Sequence, residues 1–395
     1  MAVWQFEPDW ASKFKVTYDY KTEIIESRRG NEQRVSLREV PRVTYDFTCN
    51  LSERDYRTAA SVILQSYDTQ ISMPIWNRAT RLTASIGGTA FTTETNESSI
   101  FVGADVIFIW RSLLGTVNQV ATVATKSGKN ITLTAAPSVT IPADAVLYPM
   151  AKGHLSASTK TSAIGDRNGV ISISFEVDPS FEVMRSIPTA PMTYDGYELI
   201  LIEPNWTNDV SIEYSTMMDT LDYGVGVKSF YSPKPFNDRV TTATYLGASR
   251  DEVNALIDIY RRARGRLGEF YMPTFVEDMR LTEPLTAGHR TLTMYGGQGL
   301  IDFDLSVAFT RIAIIYMDGT VETRKVTDID TGGGVTIVTL DSDITHDVSP
   351  EDVNMICWLP LCRFASDTLV VEWITDSVGE VGFTTKMLEA LSAET

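Results

Sequence analysis

Histidine and cysteine are the side chains that most often supply general-base, nucleophilic or metal-binding chemistry, and this chain has three of each. The histidines lie far apart and have no paired spacing: His154, His289 and His346. The cysteines form no zinc-like pattern with one another or with a histidine: Cys49, Cys357 and Cys362. We therefore expect no catalytic histidine and no metal site.

Two short motifs resemble ligand-binding loops but fail at a defining position. DIDTG at 328–332 resembles the opening of a calcium loop, whose twelfth position should be a glutamate and is Thr339 here. KSGK at 126–129 hints at a phosphate loop, yet Val123 stands where the first glycine should be. We therefore interpret DIDTG as a β-turn and KSGK as the tip of a hairpin. We expect a protein that is not an enzyme and needs no cofactor.

Length and composition restrict the class of protein. The 395 residues leave room for two or three domains, and 43% hydrophobic residues exclude wholesale disorder. The formal net charge of -17 repels nucleic acid and anionic lipid at long range. The N-terminal segment has no secretory pattern, and the apolar runs are too short to cross a bilayer. The sequence predicts a soluble chain without specific nucleic-acid binding or membrane insertion.

The chain repeats itself at an almost constant spacing of half its length. EPDW at 7–10 recurs as EPNW at 203–206, and MPIW at 73–76 recurs as MPTF at 272–275. Between these landmarks, Arg-Val-Thr and a helix-starting serine also recur in the same order. We infer two homologous halves that meet near residue 195.

Each half is predicted to contain one helix and many strands. Ser52 and Ser249 begin segments with the form of a capping box, followed by apolar residues at helical spacing. Nearly all other segments are rich in β-branched and aromatic residues, which is typical of strands. The predicted fold is mainly β, with two tandem β-sandwich or split-barrel cores, each braced by one helix and each carrying an inserted small β-barrel module.

The repeat and the strand pattern give these domain boundaries. The first core is predicted over 1–88 plus 151–195, with its inserted small β-barrel over 89–150. The second core is predicted over 196–299 plus 362–395, with its inserted small β-barrel over 300–361.

The segment RRARGRLGEFYMPTF at 261–275 holds four arginines in its first six residues. Cations at a helix C-terminus complement the helix dipole, and Gly265 suits the left-handed turn that ends a helix. Guanidinium groups left over from that role suit carboxylates in a subunit contact. The subunit-interface candidates are therefore Arg261, Arg262, Arg264, Arg266 and Glu269. The repeated landmarks also predict core anchors: Trp10, Trp206, Pro74 and Pro273.

A strand, a helix with aliphatic ridges, RARGRLGEF and then an aromatic strand resemble the distal tail proteins of long-tailed bacteriophages and gene transfer agents. The resemblance is best over 239–275. It is weaker in the first half, where Ser66-Tyr67-Asp68 stands in place of Arg264-Gly265-Arg266. TEIIESRRGNEQR at 22–34 is also similar to the opening strand and turn of such proteins. A typical member has one core, whereas this chain has two.

The resemblance implies a virion structural protein of the tail tip, assembled in the host cytoplasm. Such a protein forms a ring that joins the tail tube to the hub or baseplate and carries receptor-binding parts. The partners would be other copies of the chain in a ring of three or six, the tube, hub and tape-measure proteins, and a tail fibre or receptor-binding protein.

Three alternatives stay open on the sequence. One is another tail or neck ring component, such as a tube, sheath-like, adaptor or hub protein. Another is a carbohydrate-binding or degrading appendage, which would have exposed tryptophans on a module face and a carboxylate pair in a cleft; Trp110 and Trp358 are the candidate tryptophans. The third is an unrelated cellular scaffold.

Overall fold

A computed structural model describes residues 2–66, 68–112, 115–156, 159–179, 187–234, 237–295, 309–332 and 334–388. The chain is mainly β, as predicted. The described part contains two α-helices, α1 (Glu53–Gln65) and α2 (Arg250–Ala263). Short 3₁₀ helices lie at Trp10–Ser12, Trp76–Arg78 and Pro350–Asp352.

The first half contributes twelve of the described strands. They are β1 (Ala2–Val3), β2 (Phe14–Glu26), β3 (Glu32–Ser52), β4 (Ile71–Pro74), β5 (Thr80–Arg81), β6 (Ala90–Thr92), β7 (Asp105–Ser112), β8 (Gly115–Ser127), β9 (Asn130–Leu133), β10 (Val146–Leu155), β11 (Lys160–Ala163) and β12 (Asn168–Val177).

The other fifteen described strands begin with β13, just before residue 195, and the remaining fourteen lie in the second half. The fifteen are β13 (Thr193–Tyr194), β14 (Tyr197–Leu199), β15 (Ser211–Ser215), β16 (Asp219–Leu221), β17 (Ser229–Tyr231), β18 (Asp238–Gly247), β19 (Glu269–Tyr271), β20 (Thr291–Tyr295), β21 (Arg311–Tyr316), β22 (Val321–Gly332), β23 (Val335–Leu340), β24 (Val353–Trp358), β25 (Leu361–Phe364), β26 (Thr368–Trp373) and β27 (Gly379–Met387).

One run of eight antiparallel strands crosses both halves. Its order is β11, β12, β3, β2, β26, β27, β18, β15. The first four strands belong to the first half and the last four to the second. The two halves are therefore joined edge to edge through the pairing of β2 with β26.

The two four-strand units have the same internal pairings. Lys15 lies opposite Asp46 between β2 and β3, and the equivalent positions of the second half, Ser211 and Thr242, lie opposite each other between β15 and β18. The pairing of β11 with β12 corresponds in the same way, and in the same register, to that of β26 with β27. A parallel pair lies beside each unit, β1 with β4 and β14 with β19. These strand pairings are thus common to the two halves, although β16 and β17 separate β15 from β18 while β2 leads directly to β3.

Each helix begins directly after the serine predicted to start it, but the two helices differ in their surroundings. The Ser249 hydroxyl accepts from the Glu252 backbone N–H at 3.3 Å, whereas the Ser52 side chain makes no capping hydrogen bond. Nine residues of α2 are buried, against one of α1, Ala59. Both faces of α2 are therefore covered, while α1 is covered on one side only.

The inserted modules have hydrophobic cores of their own. The first core spans Leu82 to Leu147 and is built around β7, β8 and β9. The second spans Met279 to Trp358 and is built around β20 to β24. The second module thus begins before β20, well ahead of the start at residue 300 that the sequence indicated. The predicted boundary at 299–300 lies outside the described residues, as do Tyr67 of the first-half motif and the end of the second core at 389–395.

Gly153 of β10 provides a test of this packing, because a Cβ there would lie 2.1 Å from the backbone oxygen of Glu176 in β12. Backbone atoms cannot rotate away, so we expect Gly153→Ala to lower the free energy of unfolding by about 1–3 kcal/mol. Gly382 in β27 is the matched control, since a Cβ there meets no atom within 4 Å. Denaturant unfolding of both variants checks this. Equal stability of the two variants would contradict the close approach of β10 to β12.

Candidate assembly interface

The joint between the halves combines strand pairing with ion pairs. Phe14 lies opposite Trp373 and Lys15 opposite Glu372. The Lys15 Nζ lies 2.5 Å from one carboxylate oxygen of Glu372, and the Lys13 Nζ lies 2.6 Å from the other. These lysines, Lys13 first, lower the pKa of the Glu372 carboxyl and outweigh its partial burial. The joint is therefore sealed by apolar residues on one face and by charge pairs on the other.

A buried carboxylate provides a second link between the halves. Glu32, where β3 begins, has a side chain only 4% exposed. Its two oxygens accept from Arg363 Nε at 2.7 Å and Nη2 at 2.8 Å, and from Lys386 Nζ at 2.9 Å. Burial alone would raise the pKa of Glu32, but the hydrogen bonds from Arg363 and Lys386 lower it to about 2. Glu32 therefore binds the first-half hairpin to β25 and β27.

Most of the arginine segment makes contacts within the chain. The Arg262 Nε donates to Glu198 at 2.9 Å. The Arg266 guanidinium lies 3.0 Å from Asp367, and it donates to the Thr22 backbone oxygen at 2.6 Å. These contacts tie the end of α2 to both halves, so these two arginines act as braces within the chain.

The remaining members of the predicted interface set divide into two classes. Arg261 is buried and lies 3.5 Å from Asp258, and Glu269 accepts a hydrogen bond from Arg34. Arg264 is exposed and has a left-handed backbone with φ of 52°. The sequence predicted the left-handed backbone turn at Gly265. Gly265 does have a positive φ, but the left-handed conformation already begins one residue earlier, at Arg264. A subunit contact by Arg264 stays a prediction.

The repeated core anchors differ between the halves. Pro74 and Pro273 are buried, as predicted. Trp10 is half-buried and packs edge-on against Phe14. Trp206 is 54% exposed, so its assignment to the core was wrong. In the first half β2 is covered by β26, whereas among the described residues the corresponding strand of the second half, β15, pairs only with β18.

An exposed apolar segment lies near the open edge of the second half. It runs from β15 through the hairpin of β16 and β17. Its exposed large apolar side chains are Tyr214, Met217, Met218, Leu221, Tyr223, Val225, Val227, Phe230 and Tyr231. A concentration of exposed apolar side chains in one segment favours contact with another protein.

The histidines and cysteines are not brought together. His346 forms a 3.1 Å hydrogen bond with Glu322 inside the second module, His289 is exposed in another part of that module, and His154 is exposed on β10. All three cysteines are buried and free, and burial raises the pKa of Cys362 to about 12. In the described ranges, no group of three or more histidine, cysteine or acidic side chains is placed to hold a metal ion.

The tryptophans proposed for glycan contact are not displayed on a common surface. Trp358 is 1% exposed in the core of the second module, and Trp110 is half-buried against the core of the first. A cleft of about 810 Å³ between the halves is lined by Trp10, Glu97 and Arg250, among others. Glu97 is bound by Arg250 at 3.1 Å, so its carboxylate is engaged in an ion pair.

Comparison with known proteins gives no match, either to a family model or to a curated protein. Neither α1 nor α2, the helices of the described residues, is long and apolar enough to cross a membrane.

The lowered pKa of Glu32 predicts how the free energy of unfolding depends on pH. Because its folded pKa is lowered from 4.5 to about 2, the stabilisation is complete above about pH 4.5 and is lost as the pH falls towards 2. We expect Glu32→Gln to lower the free energy of unfolding by about 3 kcal/mol near pH 6, and the difference from wild type to shrink below pH 4.5.

Denaturant unfolding at a series of pH values measures this difference. Other carboxylates also titrate in this range, so the quantity of interest is wild type minus variant at each pH. Glu39→Gln is the control, because Glu39 is exposed on the same strand. A difference for Glu32→Gln that stays constant between pH 6 and pH 3 would rule out the buried ion pair.

Arg264 and Arg266 form a matched pair for separating the two roles of the arginine segment. We expect Arg266→Gln to lower the free energy of unfolding by about 1–3 kcal/mol, since Asp367 loses its cation. Arg264→Gln should change it by less than about 0.5 kcal/mol, since Arg264 is exposed. Thermal unfolding checks both. A larger loss for Arg264→Gln would place that side chain in an internal contact.

Proposed function

We propose that this chain is a structural protein of a bacteriophage tail tip, where copies of it form a ring that joins the tail tube to the hub or baseplate and carries receptor-binding parts. The observation that carries the proposal is the edge-to-edge joint of two four-strand units with the same pairings. A contact between unlike edges of like units is a heterologous contact, and its repetition forms a ring when the rotation between units closes and an open filament when it does not. The resemblance of the sequence motifs to distal tail proteins is the reason for proposing that this ring belongs to a phage tail.

The rest of the surface is consistent with an assembly role. The apolar hairpin of β16 and β17 is exposed in a single chain and becomes favourable to bury in a complex. The charged side chains of the arginine segment brace the fold rather than converge on a substrate-sized site. Three chains would supply six units to one ring, and six chains would supply twelve units.

Light scattering of the purified chain and electron microscopy of labelled virions test this function. We expect particles of three or six chains with a central opening, and antibody label at the tip of the tail rather than along it. A chain that stays monomeric at micromolar concentration would contradict the ring. Label along the whole tail or at the neck would favour another ring component of the same particle.

A further inference from the structure

The two ends of the eight-strand run are open edges. In the described part of the chain, β11 pairs only with β12, and β15 pairs only with β18. Every residue of both strands is exposed, and neither strand contains proline. An exposed edge offers a row of free N–H and C=O groups on which another strand can add.

These two edges are the equivalents of the two strands that already pair inside the chain. EPDW at 7–10 recurs as EPNW at 203–206, and the backbone N–H of Asp9 donates to Thr48 as that of Asn205 donates to Thr244. This common offset, with the registers of β2 against β3 and of β15 against β18, makes Ser211 the equivalent of Lys15. The matching registers of β11 against β12 and of β26 against β27 make Ser162 the equivalent of Glu372. Since β2 pairs with β26, the same contact is repeated when β15 of one copy meets β11 of another.

We infer that β15 of one copy pairs antiparallel with β11 of a second copy of this chain, in the register of the internal joint. The inference deepens the proposed function and rests on its ring. The internal register places Lys15 opposite Glu372 and Thr17 opposite Val370. Carried to the open edges, it places Ser211 opposite Ser162 and Glu213 opposite Lys160.

The residues at these positions suit that register. Glu213 and Lys160 bear opposite charges, and oppositely charged residues directly across an antiparallel pair stabilise it. Ser211 and Ser162 are small and polar, so nothing at that position blocks close approach of the strands. A register shifted by one residue would place Glu213 opposite Thr161 and would turn the side chains of one strand to the wrong face.

The two helices provide an independent observation. The outer face of α2 is covered by the first half, where Tyr260 packs against Tyr20 with ring centroids 5.8 Å apart. The equivalent face of α1 is open. Leu64 of α1 is 80% exposed, and aligning the two helix-starting serines makes it the equivalent of Arg261, which is 6% exposed. A second copy with β15 on β11 covers α1 just as the first half covers α2.

Disulfide cross-linking of Ser211→Cys with Ser162→Cys tests the pairing. The native cysteines are all buried, so the two introduced thiols are the accessible ones. Both substitutions in one chain should give, on mild oxidation, a ladder of covalent multimers that ends at the ring size of three or six. Two singly substituted chains mixed together should give a covalent dimer and nothing larger. Ser215→Cys with Ser162→Cys is the control, four residues out of register, and should not cross-link.

The outcomes separate the edge pairing from the function it deepens. A ladder from the in-register pair alone supports the pairing. A ring by light scattering without this cross-link overturns the pairing and leaves the ring. A monomer without cross-links overturns both. A ladder from a chain that antibodies do not find in virions keeps the pairing and overturns the tail function.

The strength of self-association in charge-exchange variants and in one variant of an apolar residue gives a second test of the contact between β15 and β11. Glu213→Lys should weaken self-association about fivefold or more, and adding Lys160→Glu should restore it. Leu64→Asp should also weaken self-association without lowering the melting temperature of the monomer, because Leu64 is exposed there. Sedimentation velocity measures both. Unchanged association in Glu213→Lys and in Leu64→Asp would overturn the pairing.

Discussion

The pairing of β2 with β26 is the constraint on which the rest of the structure depends. Without it each half would end in two open strand edges, and the backbone groups of Phe14 to Asp19 would face solvent. With it, the second helix lies between two layers of structure and becomes buried on nearly every side. The same closure brings Glu32 of one half against Arg363 and Lys386 of the other.

Although the chain has a net charge of -17, basic side chains lie beside the buried carboxylates at the joint. Removing a carboxylate such as Glu32 from water is unfavourable unless cations with good geometry replace the water. Arg363 provides two parallel hydrogen bonds and Lys386 a third, which together satisfy both oxygens. The arginine segment follows the same logic at Asp367 and Glu198. At each of these sites a basic side chain therefore neutralises a largely buried carboxylate of the same chain.

Local sequence signals predicted which segments form helices and strands, but they predicted less well which residues are buried and what those residues contact. β-Branched runs, capping serines and the constant repeat spacing were enough for the mainly β class and for both helices. The partners of Arg266 and Glu32, Asp367 and Arg363, lie in distant parts of the sequence, so no local pattern identifies them. Trp10 and Trp206 have the same motif but different exposure, because the strand beside one is covered and the strand beside the other is open. Exposure there depends on strand order, which periodicity does not encode.

The differences between the closed joint and the open edges follow from how each is formed. The internal joint forms within one chain, where the effective concentration of the two edges is high, and it uses Phe14, Trp373 and Val371. The equivalent positions on the open edges are Val210, Ala163 and Thr161, which are smaller or more polar. A lysine replaces Val370 as well, and lysine on an edge strand discourages pairing with unrelated strands. A free edge must stay soluble until its own partner arrives, so Lys160 opposite Glu213 serves both needs: it repels mismatched neighbours and favours the matched one.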